Sequence, residues 1–212
     1  MPLRKPKKPA PPRRRRFPAD EARARILAAA ERKLTEVGPE RLRLTDLAAE
    51  LGISHQAILH HFGTREDLLS ALLDHAIERI NRRLADAISG PSPREPGALL
   101  DIAADFYGTE GSARLLAWLV LSENGPRLQV ATEAARPLQP LVALMHGRRK
   151  KAMPGRIIEL AETRFLCQLA AFALLGEALF GDLIRVSYGA PADVAGSRDF
   201  RLRLARLLTD AS

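Results

Sequence analysis

The stretch LTDLAAELGISHQAILHHFGTREDLL, Leu44 to Leu69, constrains the fold of this chain more than any other. Two short helical patterns flank Gly52, and a third helix begins behind them. Thr45 suits the N-cap of a helix over Asp46 to Leu51, with Asp46 in the first turn where the helix dipole favours an acid. Gly52 supplies a left-handed corner that a residue with a Cβ resists. Ser54 then caps a second helix, His55 to His61, which Gly63 ends. Thr64-Arg65-Glu66-Asp67 has the form of a capping box opening a long helix to about Ser89. Two short helices around one glycine corner make a helix-turn-helix, whose second helix presents its N-terminal side chains to base edges in the major groove. Ala48, Ala49, Leu51, Ile53, Ile58 and Phe62 would form the small core that fixes the angle, leaving His55, Gln56 and His60 outward. His55, His60 and His61 stand at i, i+5 and i+6, which do not share one helix face, so no metal site is read here.

The rest of the chain keeps the helical period. Ile26, Ala30, Leu34 and Val37 mark a first helix capped by Asp20 and closed by Gly38-Pro39. Beyond Gly90, Pro91 and Pro93, further helices are predicted over Ala98 to Phe106, Ser112 to Ser122, Leu128 to Arg149, Arg156 to Ser187 and Asp199 to Thr209. Pro137 and Pro140 should kink the third of these. Gly147 to Gly155, GRRKKAMPG, and Tyr188 to Gly196 read as exposed loops. With 46% hydrophobic residues a real core is affordable, and the 212 residues read as all-α. Cys167 stands alone, so no internal disulfide forms. The most apolar run, Phe165 to Phe180, contains Gln168 and Glu177 and falls short of the roughly 20 apolar residues a bilayer requires. No signal peptide is visible, and the expectation is a soluble, cytoplasmic protein without membrane partners. No nucleophile motif or acid–base pairing is found, so the chain is not expected to be an enzyme and no cofactor is expected.

Charge is concentrated at one end. Residues 1–18 hold Arg4, Lys5, Lys7, Lys8, Arg13, Arg14, Arg15 and Arg16 without an acid, which accounts for the whole net charge of +8. Six prolines in the same segment prevent a helix and supply no core, so it reads as a disordered basic arm. Two readings stand for it, a nucleic-acid contact and a solubilising tail.

The helix before the corner, the motif itself, HHFGTREDLL after it and a larger helical unit behind resemble the TetR family of bacterial transcriptional regulators. The match is detailed from Ala22 to Ala76 and architectural beyond. The resemblance implies an N-terminal three-helix helix-turn-helix DNA-binding domain over residues 19–66, then a larger helical effector-binding and dimerisation domain over 67–212, joined by the helix over 67–89. It implies that Thr45 and Arg65 contact the DNA backbone, that Ser54, His55 and Gln56 open the recognition helix, and that Phe62 locks it against the fourth helix. Leu59 stands where most members have a Tyr that meets a phosphate, and the head over Asp20 to Glu66 has no basic excess.

The family pattern also implies a homodimer in which the last two long helices form a four-helix bundle with their copies. Arg156 to Ser187 is apolar on more than one face, as a helix buried on two sides requires, and Ala170, Ala171, Ala173 and Gly176 allow close approach. Leu202, Leu204, Leu207 and Leu208 give the final helix its stripe. The predicted dimer contacts are Ala170, Ala173, Gly176, Leu204 and Leu207. The other helices would enclose an effector pocket lined by Phe106, Tyr107, Trp118, Leu121, Met145, Phe165 and Phe172, with His146 and Gln168 as polar contacts; the scarcity of charge points to an apolar small molecule. The function implied is a ligand-responsive regulator, most often a repressor, that binds a palindromic double-stranded operator. The alternative is a helical protein-interaction adaptor that has lost operator binding, in keeping with Leu59 and the neutral head.

Overall fold

From Ala19 the alanine-rich sequence winds into helix α1 (Ala19–Val37), which buries Ile26, Ala29, Ala30 and Leu34 along one face. The computed structural model describes residues 18–90, 96–108, 111–121 and 139–210. Among these the chain forms nine helices and no strand. After α1 come α2 (Leu44–Leu51), α3 (His55–Phe62) and α4 (Arg65–Ser89). The larger unit continues with α5 (Pro96–Tyr107), α6 (Ser112–Leu121), α7 (Gln139–Ala152), α8 (Leu160–Ser187) and α9 (Val194–Asp210).

Local chemistry sets the corner. Gly52 adopts the left-handed conformation at φ 65° and ψ 27°. That lets the Ile53 amide reach back to the Ala48 carbonyl at 3.0 Å and the Gly52 amide to that of Ala49 at 3.3 Å, which closes α2. Ser54 Oγ accepts from the Ala57 amide at 3.1 Å and caps α3. Thr64 and Asp67 form the full capping box, each side chain accepting the other's amide at 3.0 Å. Two caps differ from expectation: α1 begins at Ala19 behind Pro18, so Asp20 lies in its first turn rather than capping it. Helix α2 begins at Leu44, before Thr45, because buried Leu44 holds the first turn and the Arg43 carbonyl takes the Asp46 and Leu47 amides. The core of the motif also shifts by two residues. Ala49 is exposed, and fully buried Leu47 takes the place expected for it beside Ala48, Ile58 and Phe62.

Later elements depart more. The segment 122–138, with half of the predicted helix from Leu128 and with Pro137, lies outside the described residues. Pro140 sits in the first turn of α7, where its missing N–H costs nothing, rather than at a kink. The run predicted as an exposed loop is helical through Ala152, because Arg149 is buried against α8 by Thr163 and Glu162. Helix α8 starts at Leu160 rather than Arg156, and α9 starts at Val194 rather than Asp199. Asp193 explains the second difference, since its Oδ1 accepts the Gly196 amide at 2.8 Å as an N-cap does.

Packing joins the helices through three apolar clusters. The largest gathers Ile26 and Leu34 of α1, Leu47 of α2, Ile58 and Phe62 of α3, and Leu68, Leu69 and Leu72 of α4; it also takes in Leu115 and Leu119 of α6. A second holds Leu100 of α5, Leu174 of α8 and Leu204 and Ala205 of α9, with Ala170 and Ala173 packed on it. The third joins Ala87 and Ile88 of α4 and Leu99 of α5 to Leu141 and Met145 of α7. Burying one such leucine contributes about 1.5–3 kcal/mol, so these clusters outweigh the exposed ion pairs, each worth about 0–1 kcal/mol. No described helix is long and apolar enough to cross a membrane.

Candidate nucleic-acid interface

Helix α3 buries one face and offers the other. Ile58 and Phe62 point into the head, Ile53 and Leu59 pack partly against it, and His55, Gln56 and His60 are exposed. Leu59 therefore serves as packing, which the missing Tyr hydroxyl leaves open to it. Ser54 is half-buried with its oxygen engaged as a cap, so its part at the helix start is structural before it is anything else. The far end of α3 has a holder the sequence reading missed. Arg23 of α1 donates from Nη1 to the His61 carbonyl at 2.9 Å and lays its guanidinium over the Phe62 ring at 4.3 Å. A cation at a helix C-terminus complements the dipole, and the ring contact adds a cation–π term. The only hint in the sequence was one arginine among several on α1.

The backbone-contact candidates separate. Thr45 is exposed in the first turn of α2, its hydroxyl 3.4 Å from Asp46 Oδ1, and remains presentable to a phosphate. Arg65 does not face out. Its Nε donates to the Leu42 carbonyl at 2.8 Å, its Nη2 to the Pro39 carbonyl, and its guanidinium stacks over Trp118 of α6 at 5.1 Å. Beside it Arg114 of α6 lies over Gly38, whose φ of 79° disfavours a residue with a Cβ, and reaches Glu40 at 3.4 Å. Arg65 thus forms a latch between the α1–α2 loop and α6, a role beside the phosphate contact expected of it. Arg65→Ala should strip those carbonyls of their donor and lower the unfolding free energy by about 1–3 kcal/mol in urea denaturation. The salt slope of DNA binding should stay unchanged, whereas loss of a phosphate contact would reduce it by about 1.

Most other cations of the head are spoken for: Arg25 pairs with Glu21 at 3.2 Å, Arg32 with Glu50 at 2.7 Å and Lys33 with Glu36 at 3.1 Å. Arg41 and Arg43, just before α2, are exposed and without an acidic partner among the described residues. The basic segment 1–17 lies outside the described residues. No group of three His, Cys, Asp or Glu that could hold a metal occurs among the described residues.

The residues predicted to line an effector pocket fall in several places. Phe106 is buried with the head core, edge-on to Tyr107 at 5.0 Å between ring centres, and burial pushes the Tyr107 phenol up. Trp118 belongs to the Arg65 latch, and Leu121 is 80% exposed at the end of α6. Met145 packs on the α4–α5 cluster, while His146 Nδ1 lies 3.1 Å from Thr163 Oγ1. Gln168, Phe165 and Phe172 are exposed, so these three lie outside any interior pocket of the subunit.

The predicted dimer contacts divide as well. Ala170, Ala173 and Leu204 pack within the subunit, in the cluster with Leu100 of α5. Leu207 is 67% exposed, and nothing lies near the Gly176 Cβ position. Around Gly176, Phe165, Leu169, Phe172, Phe180 and Leu183 form an exposed apolar stripe at spacings of three and four along α8.

A helix-turn-helix head on a larger helical unit defines a class of DNA-binding regulators, and comparison with known proteins places the chain within it. The model for bacterial regulatory proteins of the tetR family matches residues 26–72. The HTH-type transcriptional repressor Rv3405c of Mycobacterium tuberculosis is 30% identical over 176 residues, covering 82% of this chain and 89% of that one. Among solved structures, the multidrug binding protein EbrR complexed with ethidium is similar with a TM-score of 0.55 and 24% identity, covering 87% of this chain and 98% of that one. Thermus thermophilus FadR, a TetR-family repressor in complex with lauroyl-CoA, has a TM-score of 0.57 and 17% identity over 89% of this chain and 94% of its own. The chain belongs to the TetR family of bacterial transcriptional regulators.

Proposed function

We propose that the protein is a homodimeric, effector-responsive repressor that binds a palindromic operator through two helix-turn-helix heads. The carrying observation is the outward stripe of Phe165, Leu169, Phe172, Phe180 and Leu183 on a 28-residue helix. That face runs about 27 Å from Phe165 to Leu183 at 1.5 Å per residue, and it is covered by a second copy in this reading. Two-fold symmetry then sets two α3 helices for half-sites about one turn apart. The division into a head over residues 19–66 and an effector and dimerisation unit over 67–212 belongs to the same reading, as does action in the cytoplasm, where operator DNA is found. Repression is supported by the repressor among the relatives, and effector binding by the ligand complexes of EbrR and FadR. No catalytic role is proposed.

Reading and holding are assigned to different side chains. Gln56 carries an amide that pairs with adenine through two hydrogen bonds, while His55 and His60 extend the same face. Gln56→Ala should relax preference at one base per half-site by about 1–3 kcal/mol. Thr45→Ala should weaken all sequences alike, because phosphate contacts carry no sequence information. A base-substitution scan giving both variants one profile would refute the assignment. The function itself is tested by a mobility shift with DNA flanking the gene. A dimer that shifts none of these fragments would point instead to an adaptor.

A further inference from the structure

Where α7 meets α8, a charged side chain is buried with its best hydrogen-bonding edge unused. The Arg149 side chain is 8% exposed. Its Nη1 donates to Thr163 Oγ1 at 2.8 Å, and Thr163 is itself buried. The same oxygen lies 3.1 Å from His146 Nδ1, which ties the imidazole into the cluster. Glu162 Oε1 approaches Nη2 at 3.2 Å as an ion pair, without the geometry of a hydrogen bond. Nε and Nη2 are both buried and unbonded, and so is Nη1 of the adjacent Arg148.

Unbonded buried donors are costly, more so on a charged group. Nε and Nη2 together form one side of the guanidinium fork, whose two parallel N–H bonds match the two oxygens of a carboxylate. Arg148 precedes Arg149 on α7 and Glu162 is the acid paired with Arg149, so two cations to one acid favour an anion. The same cation acts on Cys167 of α8, where burial pushes the thiol up and Arg149 draws it down. Met145 and Leu141, earlier on α7, continue into the apolar cluster with Ala87, Ile88 and Leu99. A polar end and an apolar wall thus follow one another along one helix.

We propose that the Arg149 fork between α7 and α8 receives the carboxylate of an organic-acid effector, with Arg148 adding charge. This rests on the reading of the protein as effector-responsive and refines its ligand from an apolar molecule to an apolar molecule with one acidic end. Glu162 competes with the ligand for the same edge, so its charge sets how strong the acid must bind.

The test uses full-length protein with octanoate and benzoate, and octanol and benzyl alcohol as uncharged counterparts, in calorimetric titrations and operator-release assays. The acids should bind at least about tenfold more tightly than the alcohols, the scale of hydrogen bonds to a charged group. Arg149→Lys, which keeps charge but lacks the fork, and Arg149→Gln should both erase that preference. Glu162→Gln should tighten acid binding several-fold while leaving the alcohols unchanged. Acids and alcohols binding alike, no acid binding, or a preference that survives both Arg149 variants would each overturn the proposal. Should the Arg149 variants not fold, unchanged or weaker acid binding by Glu162→Gln would overturn it. Operator release by alcohols and acids alike keeps the effector reading and sinks the fork. Fork-dependent acid binding without operator release keeps the site and sinks the effector reading.

Discussion

Phe172→Glu in the full-length protein is expected to give a folded monomer that no longer retards operator DNA. Phe172 is 72% exposed on α8, so the new carboxylate meets water in the isolated subunit and costs its fold little. In the proposed dimer the same carboxylate would be buried without a partner, at a cost of several kcal/mol. Leu207→Glu, at 67% exposure on α9, should behave alike. Ala173→Glu provides the contrast, because Ala173 packs against Leu100, Leu174, Leu204 and Ala205 within one chain. Its charge should unfold the larger unit rather than merely separate two subunits. Light scattering, circular dichroism and a mobility shift distinguish these outcomes. Dimeric, DNA-binding Phe172→Glu and Leu207→Glu proteins would place the interface elsewhere.

Deleting residues 1–16 is expected to weaken operator binding at low salt by a factor near a thousand and to flatten its salt dependence. These residues carry the chain's whole net charge of +8, and the head from Asp20 to Glu66 is close to neutral. If each arm neutralises about three phosphates, six per dimer at about −0.9 each contribute roughly −5 to the slope of log affinity against log salt. Between about 50 and 200 mM salt that slope alone removes about a thousandfold. Specific and non-specific binding should fall together, and the preferred operator should be unchanged. An arginine placed in a narrow minor groove would add A·T preference at flanking positions only. A purely solubilising tail predicts affinity and slope equal to those of the full chain, so titration at three salt concentrations decides.

The corner at Gly52 was legible because its signals are local. A cap acts on an amide three residues on, and the left-handed glycine closes a turn beside it. What escaped the sequence depends on contacts between distant residues. Arg65 resembled a free cation at a helix start, yet its acceptors lie 23 and 26 residues earlier and its aromatic partner sits on α6. The run from Gly147 looked like a solvated loop because four cations in a row rarely enter a core; Thr163 and Glu162 are what Arg149 enters for. Helix α8 was rightly read as apolar on two faces, but periodicity does not say which face meets the chain's own helices. The small face, Ala170 and Ala173, accepts α5 and α9 closely, and the aromatic face is left outside.

Leu115 and Leu119 of α6 are each 1% exposed inside the same cluster as Ile26, Leu34, Leu47 and Ile58. The DNA-binding motif is therefore not a portable cassette. A graft that carries only the first three helices to another scaffold leaves behind two leucines that fill its underside, and with them Trp118, on which Arg65 rests. Each lost leucine contact of this kind typically costs about 2–5 kcal/mol, comparable to much of a small domain's stability. Transplanting operator specificity between relatives then calls for moving α6 with the head, or for reshaping the recipient's α6 to the same apolar relief. The smallest unit that can change hands is discontinuous in sequence.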